Sequence, residues 1–202
     1  MHAFLQTLRT QRWDDHRYYH HSLINQSLHL FSATSFLCVY VLLFWDPAAA
    51  ALIAWMVSMT SRQTGHFFFE PKGYDEINHA THEYKESVKV GYNLRRKAIL
   101  HVIWGLTPFL LYLEPTLFGI IRPWDGISDF VHNLGLIWLF LGAGGLAFRC
   151  LQLWVIEDLL TGLAWVAKIA TDPFHDIKLY YKAPIQLLRG ELFDTMAPQE
   201  HA

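Results

Sequence analysis

"HHSLINQSLHLF", His20 to Phe31, is where the chain passes from polar to apolar. It sets His20, His21, Asn25 and His29 at the threshold of a run, Leu28 to Trp45, that holds no Asp, Glu, Lys or Arg. A second apolar run, Pro47 to Phe69, closes on "QTGHFFFE", Gln63 to Glu70, with His66 and Glu70 at its end. Between the runs, Asp46 before Pro47 is a helix start after a tight turn. Two helices joined this way form a hairpin. His29 and His66, 37 residues apart, then meet at one end of it.

Outward from the hairpin the chain stays greasy. Hydrophobic residues make up 52% of its 202 residues and charged residues 17%. Soluble domains carry about 25% charge, so the composition points to a membrane protein. Two further uncharged runs follow, Ala98 to Leu113 and Phe130 to Phe148, the latter with "GAGG", which permits close helix packing. A crossing helix needs about 20 residues. Three runs are long enough, and the third qualifies with its flanks. "EPKGYDEIN" and "EPTLFGIIRPWDGISD" read as the connecting loops. Beyond them, "LQLWVIEDLLTGLAWVAKIATDPFHD" is apolar but interrupted by charge. It reads as an amphipathic helix on the interface or packed on the bundle; a fifth crossing is the alternative. The expected fold is therefore all-α: a polytopic membrane bundle of about four transmembrane helices plus a C-terminal amphipathic helix. Its parts are an N-terminal segment 1–27, a transmembrane domain 28–148 with a His-rich loop 71–97, and a tail 149–202.

Cations choose the orientation. Four crossings put segments 1–27, 71–97 and 149–202 on one face, with fourteen Lys and Arg against Arg122 on the other; Arg62, inside the second run, is not counted. The positive-inside rule makes that face, with both termini, cytoplasmic. An integral protein of a bacterial inner membrane or of the endoplasmic reticulum gives the same pattern. The net charge of -2 gives no case for nucleic acid. Cys38 and Cys150, in or beside apolar runs, read as packing thiols. Residues 1–19 have no compact apolar core and do not read as a cleavable signal.

Most of the twelve histidines then fall on the cytoplasmic side. Asn25 and His29, and His66 and Glu70, are i,i+4 pairs on one helical face. His20, nine residues before His29, stands about half a turn away on an ideal helix. It can join His29 only if the helix begins after it, with Ser22 as N-cap; whether His20 or His21 is the ligand stays open. His79 and His82 are spaced i,i+3, suited to two ligands on a helix. Neutral imidazole suits Fe, Zn and Cu, and the second ring nitrogen is usually handed to a carboxylate or carbonyl. A lone interfacial histidine more often snorkels or hydrogen-bonds. On that ground His2, His16 and His201 read as solvated, His132 as an outer-interface residue, His101 as bonded within the bundle and His175 as a turn residue. "FFF" reads as lipid or core contact, and "RRK", Arg95 to Lys97, as the anchor of the third crossing.

"YHHSLINQSLH" followed by "QTGHFFFE" resembles the membrane-embedded 2-hydroxy fatty acid dioxygenase family, whose fungal members act in phytosphingosine breakdown. The matching residues are His20, Asn25 and His29 in the first block and Gln63, Gly65, His66 and Glu70 in the second, over about the first half of the chain. Leu23 replaces the usual proline, "PKGYDEINHATHEYKE" replaces the usual continuation after the glutamate, and the tail from Leu151 has no counterpart. The resemblance implies an Fe(II) enzyme that takes a 2-hydroxy fatty acid from the lipid bilayer and, with O2, shortens it by one carbon. The expected ligands are His20, His29, His66 and, from spacing and side rather than from the motif, His82, with Glu70 and Asn25 supporting the ligands or orienting substrate. Competing readings are a di-metal fatty acyl hydroxylase or desaturase, whose His-x-x-His-His box is missing here, a haem-binding carrier, and a membrane scaffold.

Overall fold

A computed structural model describes residues 1–195; His201 and the rest of the tail's end lie outside the described residues. The described chain is helical, with isolated bridges in place of a sheet. Helix α1 (His2–Tyr19) precedes α2 (Leu23–Leu42), which Ser22 caps by accepting from the Asn25 amide at 3.4 Å. The second helix of the hairpin starts at Pro47, capped by Asp46. It is one continuous run of unequal pitch: α3 (Pro47–Ile53), a π-helical stretch Ala54–Met59, α4 (Thr60–Thr64) and a second π-helical stretch Gly65–Phe69. Wide turns of this kind gather at functional sites.

The loop 71–97 is partly ordered. It contains α5 (His82–Val88), capped by Thr81. Helices α6 (Leu94–Leu113) and α7 (Ile127–Ile156) follow, then α8 (Leu159–Tyr180) and a short α9 (Ala183–Leu188). Helix α7 runs on past Phe148, so a boundary at 148/149 falls inside it. It is long and apolar enough to cross a membrane, and it alone meets that test among the described residues. Gly135 makes the close approach expected of "GAGG": a Cβ there would collide with the Ala48 carbonyl, whereas Gly144 and Gly145 face open space.

A core of Ala51, Leu111, Leu134 and Trp138 joins α3, α6 and α7. Helix α8 packs against α1, α2 and α7. Its inner face is charged: Lys168, Asp172 and Asp176 are buried while Leu159, Leu163 and Phe174 are exposed.

Candidate metal centre

The α1–α2 turn, α2 and the π-helical end of the hairpin converge on three imidazoles. His20, His29 and His66 are 1%, 1% and 4% exposed. One nitrogen of each lies within 4.8 Å of the other two. His20 Nε2 and His29 Nε2 are 3.1 Å apart. Two nitrogens bound at about 2.1 Å to one ion are separated by roughly 3.0–3.4 Å, so this spacing fits a shared metal. Because α2 begins at Leu23, His20 lies outside its helical register and can swing onto His29.

The outward nitrogens are all engaged. His20 Nδ1 donates to the Asp15 carbonyl at 2.9 Å. His66 Nδ1 donates to Glu70 Oε2 at 2.7 Å. A carbonyl or carboxylate can only accept, so both rings carry their proton on Nδ1 and present an Nε2 lone pair. His29 Nδ1 accepts from Arg62 Nε at 3.2 Å, which leaves its proton on Nε2 facing His20; a metal bound at Nε2 would move that proton to Nδ1, where Asp176 Oδ2 stands 3.5 Å away. Burial, and next the neighbouring His29, hold the His20 imidazole neutral, well below its ordinary pKa. Neutral rings oriented by a second layer of carbonyl and carboxylate are what a divalent transition metal requires.

Asn25 works on the backbone. Its Nδ2 donates to the Tyr19 carbonyl at 2.8 Å, fixing the turn that carries His20. Its Oδ1 presses on Gly65, where a Cβ would collide with it. Asn25 thus clamps both sequence blocks together, and Gly65 is required for that approach.

The sequence did not point to the fourth side of the centre. Tyr180, on α8, sets its ring 5.7 Å from His20 at a tilt of 45° and bonds His16 at 3.2 Å. Arg62 donates to Asp176 at 2.5 Å. Lys168 bonds Asp15 at 2.9 Å and Asp172 at 2.7 Å. Burial pushes the Lys168 ammonium down, but Asp15 and Asp172 outweigh it and hold it above its ordinary value. An arginine inside an apolar run was the available signal, since ionisable groups at membrane depth usually serve a site.

Other expectations need correction. His82 is outside the group of three. Helix α5, which begins at His82, docks through buried Lys85, whose carbonyl accepts from Tyr19 at 2.5 Å. His79 is exposed, at φ 49°, before α5 begins, so the two are not ligands on one helix. His21 bonds the Arg17 carbonyl and stands 3.3 Å from Asp75, which leaves His20 as the member of the pair in the cluster. His16 is buried rather than solvated. His175 lies within α8 rather than in a turn. His132 is exposed, and His101 bonds the Lys97 carbonyl at 2.7 Å.

His66 is also part of the wall of a cavity of about 430 Å³. Its lining combines polar groups, among them Asp15, Tyr19, Arg62, Gln63 and Lys97, with apolar ones such as Phe36, Trp55, Met59, Leu146 and Trp165. No protein-family model matches the chain, and no curated protein or solved structure shows significant similarity to it.

Proposed function

We propose that the protein is an Fe(II)-dependent membrane dioxygenase that converts a 2-hydroxy fatty acid, with O2, into the fatty acid one carbon shorter, CO2 and water. The observation that carries this reading is the buried His20–His29–His66 group sharing His66 with an amphiphilic cavity. The sequence resemblance supplies the reaction; the donor set supplies the fit to the metal.

Three neutral nitrogen donors and no thiolate suit Fe(II) among other divalent metals. Bound there, the iron would supply Lewis acidity and a site for O2. The protein's own part is positional. The Asp15 carbonyl, Asp176 and Glu70 hold the Nδ1 edges so that Nε2 faces inward. Gln63 Oε1, buried and without a hydrogen-bond partner, is the acceptor available to the substrate hydroxyl. Trp55, Met59 and Trp165 offer the acyl chain a dry wall. A haem plane would have to pass between its two axial imidazoles, and nitrogens 3.1 Å apart leave no room for it.

The bilayer setting rests on exposed apolar side chains. On α6 they include Val102, Leu106, Phe109 and Leu113, and on α7 Phe140, Phe148 and Val155. Surfaces of this kind on several long helices read as lipid-facing, with α2, the α3–α4 run, α6 and α7 as four crossings and the histidines at the cytoplasmic boundary. The test is turnover: Fe(II)-loaded protein given 2-hydroxyhexadecanoate should consume O2 and release pentadecanoate. Iron-loaded protein that consumes no O2 and forms no shortened acid would overturn the proposal.

A further inference from the structure

The triplet Arg95–Arg96–Lys97 is not uniform in the structure. Arg95 and Arg96 are exposed, while Lys97 turns inward and lines the cavity. Four cations line that space, and three are matched. Arg62 pairs with Asp176, Lys168 with Asp15 and Asp172, and Lys89 with Glu70 and Glu86. Among the described residues, the Lys97 ammonium has no hydrogen bond or ion pair. Glu70, the carboxylate acting most strongly on it, is already held by His66 and Lys89. Lys97 lines the cavity together with His66, Arg62 and Gln63.

We infer that Lys97 is the countercharge for the carboxylate of a single-chain amphiphile whose tail fills the apolar cavity. An ammonium withdrawn from water without an anion either gives up its proton or takes an anion from a ligand, and a bound carboxylate would be that partner. The cavity's volume of about 430 Å³ is in the range of small-molecule sites. Its lining joins one cation without a partner, Lys97, to a largely apolar wall, which matches an anionic head and a hydrocarbon tail. Lys97 acts here as a binding residue; it need not touch the reacting bond. The inference rests on the reading of this cavity as the acyl site, and it names the group that selects an acid over an uncharged lipid.

The test uses full-length protein in detergent, stripped of metal with a chelator, and radiolabelled 2-hydroxyhexadecanoate in a scintillation proximity assay. Wild type should bind saturably. Lys97→Met should weaken binding about ten- to hundred-fold, the loss of one charge-assisted hydrogen bond, and Lys97→Arg should restore most of it. Hexadecanol should compete weakly and equally against wild type and Lys97→Met. Wild-type affinity in a folded Lys97→Met protein would overturn the inference, as would no binding by wild type. If Lys97→Met does not fold, equal affinity of wild type for hexadecanoate and hexadecanol overturns it instead, and a clear preference for the acid supports it. Lys97-dependent acid binding by a protein that takes up no iron would keep this inference and remove the oxygenase. Iron uptake with Lys97-independent acid binding would do the reverse.

Discussion

Asp176 stands 3.5 Å from His29 Nδ1 and 2.5 Å from Arg62. A residue near the end of the chain thus orients a ligand near its beginning, and α8 completes the centre from outside the hairpin.

Replacing Asp176 should therefore be felt at the metal. Asp176→Asn keeps the shape but removes the charge that balances Arg62 and the acceptor for His29 Nδ1–H. Outer partners of this kind are worth about ten- to hundred-fold in metal affinity. Competition with a coloured chelator should show a loss of that size. Asp176→Ala should in addition lower stability by roughly 3–5 kcal/mol, because Arg62 stays buried without its nearest partner, and thermal unfolding in detergent reads that change.

His20 and His21 are neighbours in sequence with different fates. His20→Ala should abolish metal retention, as should His29→Ala and His66→Ala. His21→Ala and His82→Ala should keep bound metal near the wild-type amount, because neither ring is in the group of three. Elemental analysis of the five purified variants checks this, and metal loss in His21→Ala with retention in His20→Ala would reverse the assignment.

Gly65→Ala should be among the most damaging small substitutions. Its methyl would collide with Asn25 Oδ1, at the typical overpacking cost of about 1–3 kcal/mol, and would push His66 off its place. Asn25→Ala removes the obstacle but also releases the Tyr19 carbonyl. The double variant should be more stable than the two single losses add up to, a coupling that a double-mutant cycle measures.

Acid should release the metal. The folded-state pKa of His20 is lowered by burial and by His29. A depressed pKa gives a contribution that is full above the unfolded value, about 6.5 for histidine, and is lost as pH falls below it. Protons also compete directly with metal for the same nitrogen. Bound metal should thus hold steady from about pH 7 upward and fall below about 6.5, as equilibrium dialysis across that range would show.

The hairpin was legible because its signals are local. Asp46–Pro47 sets the turn, and Ser22 starts α2 late enough for His20 to reach His29. The placement of α8 was not legible: its mixed polar and apolar pattern marks two faces but does not say which one turns inward, and here the charged face does. Nor does a charge rule separate Lys97 from Arg95 and Arg96. The Asn93 cap fixes where α6 begins, and each residue from there turns the side chain by about 100°, so the start of the helix decides which cation enters the cavity. His82 looked plausible because i,i+3 spacing assumes one helix, and α5 begins only at His82 itself.

The central claim is that three buried histidines hold one iron. The most direct measurement is metal content with an absorption spectrum, on detergent-purified wild type beside His66→Ala, after anaerobic Fe(II) reconstitution. The account predicts about one iron per chain in wild type, no haem band, and none retained by His66→Ala. Wild type that binds no iron under these conditions, or a His66→Ala protein that binds as much, would contradict it.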